Sequence, residues 1–219
     1  LVKKEKLTAE KKGEVLSRIG TATAVDALAA CDLVVEAATE NLDLKLKIFG
    51  QLDAAAKPEA IIASNTSSIS ITKLAAATKR PDRVIGMHFF NPVPVMALVE
   101  LIRGLQTSEA TYAATETVTK QLGKTPVQVK NSPGFVVNRM LCPMINEAIF
   151  ALGEGLATAQ EIDDAMRLGC NHPIGPLALA DLIGLDVCLH IIETLQADFG
   201  DDKYRPAPLL RRMVAAGRL

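Results

Sequence analysis

The chain has 219 residues, of which 49% are hydrophobic and 22% are charged, so it can bury a sizeable core and extensive disorder is excluded. Its formal net charge of -1 gives no reason to expect nucleic acid or an acidic membrane surface as a partner. None of its apolar runs reaches the roughly 18 residues that a membrane helix requires.

The spacing of the cysteines and the composition of the first residues predict the cellular compartment of the protein. Four cysteines are scattered along the chain without a CxxC motif or metal-ligand spacing, at positions 31, 142, 170 and 188. This distribution favours reduced thiols in a cytoplasmic compartment and predicts no metal site. The basic opening LVKKEKLTAEKK has no apolar region after it, so it is not expected to be a signal peptide.

Five short apolar runs in the first 130 residues are typical of buried parallel strands, at 33–38, 60–65, 83–90, 97–102 and 126–130. Helical patterns lie between several of these runs, at 41–56, 69–78 and 109–122. Strands separated by helices of this length predict βα units and a mostly parallel sheet.

From Pro133 onward the sequence shows only helical patterns, at 135–152, 159–168, 175–199 and 208–216. Asn131 or Ser132 is predicted to be the N-cap of the first of these helices, with Pro133 in its first turn. The fold class is therefore α/β plus all-α, with an α/β domain over 1–130 and a helical domain over 131–219.

A dinucleotide-binding sheet normally opens with a strand, the motif G-x-G-x-x-G and a helix. The only G-x-G of this chain, Gly153 to Gly155, lies in the helical part and lacks the third glycine. If the α/β part is a Rossmann-type sheet, its first phosphate-binding half is expected upstream of Leu1.

Two ionisable residues stand in segments that otherwise indicate core. His88 lies near the end of the apolar run at 83–90, and Glu100 lies within the next run at 97–102. A buried ionisable group costs free energy unless it is paired. The spacing alone is compatible with a structural buried pair or with a pair that performs chemistry.

Five segments together resemble the 3-hydroxyacyl-CoA dehydrogenase family: VVEAATENLDLK, ASNTSSI, GMHFFNPVPVMALVE, NSPGFVVNR and AMRLGCNHPIGPLALADLIGLD. The resemblance runs in order over essentially the whole chain and is greatest to the bacterial 3-hydroxybutyryl-CoA dehydrogenases. It implies the C-terminal part of a Rossmann-type NAD-binding domain, followed by a helical domain that forms a homodimer, with the active site between them. It also implies that the chain is an excerpt, cut at both ends, of such an enzyme or of a larger multifunctional one.

The resemblance further implies oxidation of an (S)-3-hydroxyacyl-CoA, with short-chain 3-hydroxybutyryl-CoA expected, to the 3-ketoacyl-CoA. His88 matches the general base and Glu100 the carboxylate that orients it, a division of labour familiar from Asp–His pairs. Ser67 and Asn138 match the residues that bind the substrate oxygen. From the residues alone, Ser67 belongs to a capping loop, and Asn138 satisfies local backbone in a first helical turn.

For the cofactor, the resemblance implies NAD, with NADP not excluded, and contacts from Glu40, Lys45, Ser67 and Asn91. The alternative for Glu40 and Lys45 is a solvated first turn of a helix. Acyl-CoA is the implied partner, and the basic residues at positions 3, 4 and 6 lie where the family contacts CoA, although none is assigned that role.

Two other functions remain open on the sequence. One is a related dehydrogenase acting on a different hydroxy acid, such as a sugar acid. The other is a non-catalytic dimerisation module, if these residues are the whole protein. The retained set of Ser67, His88, Glu100 and Asn138 favours an active hydroxyacyl-CoA dehydrogenase over both.

Overall fold

In the computed structural model, which describes residues 8–219, five strands form one sheet in the order β1-β2-β3-β4-β5. The strands are β1 (Leu33–Glu36), β2 (Ile61–Ser64), β3 (Val84–Phe89), β4 (Leu98–Arg103) and β5 (Thr125–Lys130). Strands β1, β2 and β3 pair in parallel, and so do β4 and β5. Helices follow in the second half of the chain, so the predicted fold class of α/β plus all-α is confirmed.

The pairing of β3 with β4 is antiparallel, and it places His88 directly opposite Glu100. The prediction that every apolar run is a parallel strand is therefore wrong for β4. Only residues 90–97 connect the two strands. A parallel crossover needs a dozen or more residues, so this connection is long enough only for the chain to turn back.

Four α-helices accompany the sheet: α1 (Ala9–Ser17), α2 (Leu42–Ala55), α3 (Ile71–Ala75) and α4 (Glu109–Gln121). Asn41 caps α2 by accepting a hydrogen bond from the Leu44 amide, as its position before an amphipathic run favours. Phe49, Ile62 and Leu74 are fully buried between helices and sheet. Each such side chain contributes about 1.5–3 kcal/mol of burial free energy.

Five α-helices form the second part: α5 (Val137–Gly153), α6 (Ala159–Gly169), α7 (Pro176–Ile183), α8 (Leu185–Phe199) and α9 (Pro208–Ala215). The prediction of one helix over 175–199 is wrong, because Gly184 has φ 103° and separates α7 from α8. Ile145, Ala148 and Ile149 lie on one face of α5 and pack within this bundle, so this face is buried by the chain's own helices.

The predicted cap of α5 is also wrong. The helix begins at Val137, after Asn131 and Ser132, and its N-cap residue Val136 has no side-chain acceptor. Asn131 instead accepts a hydrogen bond from the amide of Ile71, at the start of α3. The acceptor for the first amides of α5 comes from β4 and belongs to the site described below.

Gly175 precedes α7 at a position where a side chain does not fit. The Asp163 carboxylate accepts hydrogen bonds from the amides of Leu177 and Ala178, at 2.8 and 2.9 Å, and so caps α7. A Cβ on Gly175 would lie 2.2 Å from the Asp163 Cγ atom.

We expect Gly175→Ala to lower the free energy of unfolding by about 1–3 kcal/mol, because it displaces this cap. Urea unfolding measures the change, with Gly169→Ala, whose Cβ meets nothing within 4 Å, as the control. An equal loss in both variants would contradict the explanation.

The basic residues at positions 3, 4 and 6 lie outside the described residues. Between residues 8 and 219, none of the helices combines the length and the apolar character needed to span a bilayer.

Candidate active site

A cavity of about 830 Å³ lies between the sheet and the helical part. One wall is formed by the segments that follow β1 and β2 and by the end of β3, and the other wall by α5, α7 and α8. Ligands in open α/β sheets bind at the carboxyl ends of the parallel strands. The predicted site residues that line the cavity are Glu40, Lys45, Ser67, His88, Asn91 and Asn138.

Glu100 is fully buried and reaches the cavity through His88. The Nδ1 atom of His88 lies 2.8 Å from Oε2 of Glu100. An ionised carboxylate only accepts hydrogen bonds, so Nδ1 is the donor and Nε2 of a neutral ring keeps its lone pair. The rings of Phe90 and Phe135 pack on the imidazole at centroid distances of 4.5 and 5.6 Å, which fixes its plane.

The second oxygen of Glu100 contacts the helical part. Oε1 accepts hydrogen bonds from the backbone amides of Val136 and Val137, both at 3.0 Å. The buried carboxylate therefore has three donors, which offset its desolvation. The sequence predicted that Glu100 orients His88, but it did not predict the contact with α5. The donors of that contact are backbone amides, which every residue except proline has, so no residue type indicates them.

Glu40 organises the loop that follows β2. Its carboxylate accepts from the Thr66 hydroxyl at 2.8 Å, from the Ser67 amide at 2.5 Å and from the Ser67 hydroxyl at 2.7 Å. Ser67, which lines the cavity, is thereby held by Glu40. Thr66 also accepts from the Ile69 amide within the loop, whereas the N-cap of α3 is Ser70, whose hydroxyl accepts from the Lys73 amide.

Lys45 does not lie in a solvated turn. Its ammonium group donates to both oxygens of Glu36, at 2.8 and 2.6 Å, and each of the two side chains is only 2% exposed. The Ser64 hydroxyl and the Ala38 amide also donate to Glu36. Burial alone would raise the pKa of Glu36, but the hydrogen bonds from Lys45, Ala38 and Ser64 together hold it below its usual value.

Glu36 is the site residue that sequence reasoning missed. Its signal was a carboxylate inside the apolar run LVVEAA, where a buried charge requires a partner. The same argument that drew attention to His88 and Glu100 applies to it.

The helical wall of the cavity is uncharged. Apart from Asn138 in the first turn of α5, it consists of Val137, Leu141, Cys142, Leu179, Leu182, Ile183, Val187 and Ile191. Burial raises the pKa of the Cys142 thiol to about 12, so this cysteine is protonated at neutral pH and is a poor nucleophile. Within residues 8–219, no cluster of histidine, cysteine and acidic side chains is suited to hold a metal ion.

Comparison with known proteins agrees with this geometry. Residues 1–132 match the family model of the 3-hydroxyacyl-CoA dehydrogenase NAD binding domain, and residues 134–219 match that of the C-terminal domain. A 3-hydroxybutyryl-CoA dehydrogenase of Bradyrhizobium diazoefficiens is 56% identical over 218 residues, which cover 100% of this chain and 74% of that protein. One from Clostridioides difficile is 52% identical over 219 residues, with coverage of 100% and 78%.

A solved structure is similar over the same extent. The crystal structure of (S)-3-hydroxybutyryl-CoA dehydrogenase from Ralstonia eutropha superposes with a TM-score of 0.96 at 68% identity, covering 99% of this chain and 77% of that one. The resemblance found in the sequence is thereby confirmed, as are the oxidoreductase class and the match of the first part to an NAD binding domain. The chain belongs to the 3-hydroxyacyl-CoA dehydrogenase family.

Proposed function

We propose that this enzyme oxidises short-chain (S)-3-hydroxyacyl-CoA, with 3-hydroxybutyryl-CoA as the preferred substrate, to the 3-ketoacyl-CoA. The observation that carries the proposal is the His88–Glu100 pair, joined at 2.8 Å on the wall of a cavity that also contains Ser67 and Asn138. A purely structural pair needs no cavity and no such neighbours.

His88 is the general base in this proposal. Oxidation at C3 requires removal of the hydroxyl proton, which the free Nε2 lone pair of His88 accepts. The imidazolium that forms carries a proton on each nitrogen, and Glu100 stabilises it through the hydrogen bond at Nδ1. In the reverse direction, the same Nε2–H returns the proton to the ketone oxygen.

Ser67 and Asn138 are proposed to bind the substrate oxygen from opposite walls of the cavity. Ser67 follows β2, and Asn138 lies in the first turn of α5, so the oxygen is held between the two domains. The Ser67 hydroxyl donates to Glu40 in the structure, so it must turn away from that carboxylate to donate to the substrate oxygen. A single neutral donor contributes about 10²–10³ to the rate when it points at a developing oxyanion.

We propose that a nicotinamide nucleotide, NAD rather than NADP, binds in this cavity. When bound there, NAD⁺ supplies the acceptor for the hydride that leaves C3. Glu40, Lys45, Ser67 and Asn91 are the residues proposed to hold it, since they line the part of the cavity formed by the carboxyl ends of the strands. The positive charge of Lys45 is balanced by the Glu36 carboxylate before any cofactor binds.

The uncharged helical wall supports an acyl thioester over a free hydroxy acid. A carboxylate placed against Leu141, Leu182 and Val187 would lose its hydration without gaining a cation. The acyl chain of a thioester carries no such charge at that place.

We expect the full-length enzyme to oxidise NADH with acetoacetyl-CoA, and more slowly with longer 3-ketoacyl-CoA esters. Free acetoacetate and keto sugar acids are expected to react at least about 100-fold more slowly, because they lack the binding energy of CoA and bring a charge to the apolar wall. Initial rates of absorbance loss at fixed NADH measure this, with NADPH in a parallel series. Comparable rates for acetoacetate and its CoA ester would overturn the substrate assignment.

We further propose that 1–130 is the nucleotide-binding domain and 131–219 the substrate and dimerisation domain of a cytoplasmic enzyme. The proposed homodimer is supported by large apolar side chains left exposed in the helical part, among them Leu156 at 78% and Leu168 at 81%. Light scattering after gel filtration tests the dimer, and a monomer at micromolar concentration would refute it.

A further inference from the structure

The carboxylate of Glu100 joins two elements that otherwise belong to different domains. Its Oε2 atom accepts from His88 on β3, and its Oε1 atom accepts from the amides of Val136 and Val137 at the start of α5. These first amides of a helix have no intrahelical partner, and the N-cap residue Val136 cannot supply one from its side chain.

The turn before α5 aims these amides at Glu100. Gly134 and Phe135 both have left-handed backbone conformations, with φ of 70° and 49°. A phenylalanine in this region is strained, and such strain persists only where the surroundings enforce it. Phe135 is 3% exposed and packs its ring on His88, while a Cβ on Gly134 would lie 2.8 Å from a methyl group of Leu195.

We infer that Glu100 also supplies, from β4, the capping side chain that the N-cap residue of α5 lacks, and that this second set of bonds fixes Asn138 across the cavity from His88. Asn138 directly follows Val137, so the two capped amides set the position of its first helical turn. One carboxylate thus fixes the position of the base relative to the substrate-binding asparagine. Gly134 and Phe135 act as positioning residues. The inference rests on the proposed function only for the roles given to His88 and Asn138.

The cap makes Glu100→Gln a decisive variant. A glutamine has one carbonyl oxygen, which either the two amides or His88 can use. If the amides hold that oxygen, the side-chain NH₂ group must face Nδ1 of His88. Two N–H groups cannot point at each other, so the histidine proton moves to Nε2. Without the cap, the oxygen would be free to turn toward His88 and keep the proton on Nδ1.

We expect the ¹⁵N spectrum of labelled full-length enzyme to show His88 protonated at Nδ1 before the change and at Nε2 in Glu100→Gln. The His88→Gln variant identifies the His88 signals among those of the three histidines. Glu116→Gln, the same change at a glutamate of α4 that binds Tyr112 and Lys120, is the control and should alter neither nitrogen.

Hydrogen exchange gives a second measurement that does not require turnover. The amides of Val136 and Val137 should remain protected in Glu100→Gln, and they should exchange about tenfold faster in Glu100→Ala, where the cap is lost. Persistence of the Nδ1 proton in Glu100→Gln, or unchanged exchange in Glu100→Ala, would overturn the inference. Neither result depends on whether His88 is the base, so failure here is distinguishable from failure of the proposed reaction.

Discussion

Replacement of His88 by glutamine is expected to lower kcat for 3-hydroxyacyl-CoA oxidation by about 10²–10⁴-fold, the range that a positioned general base contributes. Glutamine cannot accept the hydroxyl proton at neutral pH. Its side-chain NH₂ group still donates to Oε2 of Glu100, so the buried carboxylate keeps a partner and the fold is expected to survive. The initial rate of NAD⁺ reduction with 3-hydroxybutyryl-CoA measures the loss.

Two controls accompany this variant. Fluorescence titration should find NADH binding nearly unchanged in His88→Gln, because the residues proposed to hold the cofactor are untouched. His190→Gln, the same substitution on α8 outside the residues that line the cavity, should retain full activity. If His88→Gln turned over at a rate close to that of the unaltered enzyme, the assigned base would be wrong.

The pairing of His88 with Glu100 illustrates what local sequence can predict. Both residues interrupt apolar runs, and a buried charge requires a partner, so the local sequence indicated that each would be paired. That they pair with each other to perform chemistry was implied by the family resemblance. Their direct opposition across an antiparallel pair was also within reach. The connection over 90–97 is too short for a crossover, a constraint that the uniform parallel interpretation overlooked.

Other contacts depend on elements far apart in the chain. The amides of Val136 and Val137 are capped by a residue 36 or 37 positions earlier, and no side chain in their own segment indicates it. Asn131, a good N-cap by type, serves α3 instead of α5. The division at Gly184 depended on one backbone angle within a continuous apolar pattern, which periodicity does not reveal. These features require the packed fold.

Removal of the Glu36 carboxylate is expected to have the largest effect on stability. Glu36→Ala leaves the Lys45 ammonium group buried at 2% exposure without its bidentate partner. Breaking a buried pair in this way costs about 3–5 kcal/mol of unfolding free energy. Urea unfolding of the full-length enzyme measures the loss. Asp32→Ala removes the partner of Lys57 in an exposed ion pair and is the control, with an expected cost below about 1 kcal/mol.

A double variant separates the charge from the packing. Glu36→Gln with Lys45→Met removes both buried charges, so most of the stability should return. The glutamine oxygen can still accept from the Ala38 amide, and the glutamine NH₂ group can donate to the Ser64 hydroxyl oxygen. Affinity for NADH should stay low in this variant, because Lys45 is proposed to contact the cofactor. If neither the free energy of unfolding nor the affinity for NADH recovered, the packing of the two side chains would matter more than their charges. If both recovered, Lys45 would not contact the cofactor.

The pH dependence of stability tests the same pair with the native side chains. The hydrogen bonds from Lys45, Ala38 and Ser64 outweigh burial and lower the folded-state pKa of Glu36 below 4.5, its ordinary value. A lowered folded-state pKa means that the unfolded chain takes up the proton first. The stabilisation is therefore fully present above about pH 4.5 and is lost as the pH falls through the folded-state pKa.

The free energy of unfolding, measured from pH 7 downward, should show this loss. The Glu36→Gln variant should give a shallower slope of free energy against pH, because its side chain does not titrate. Equal slopes would mean that other carboxylates dominate, and that the charge on Glu36 stabilises the fold less than its burial beside Lys45 implies.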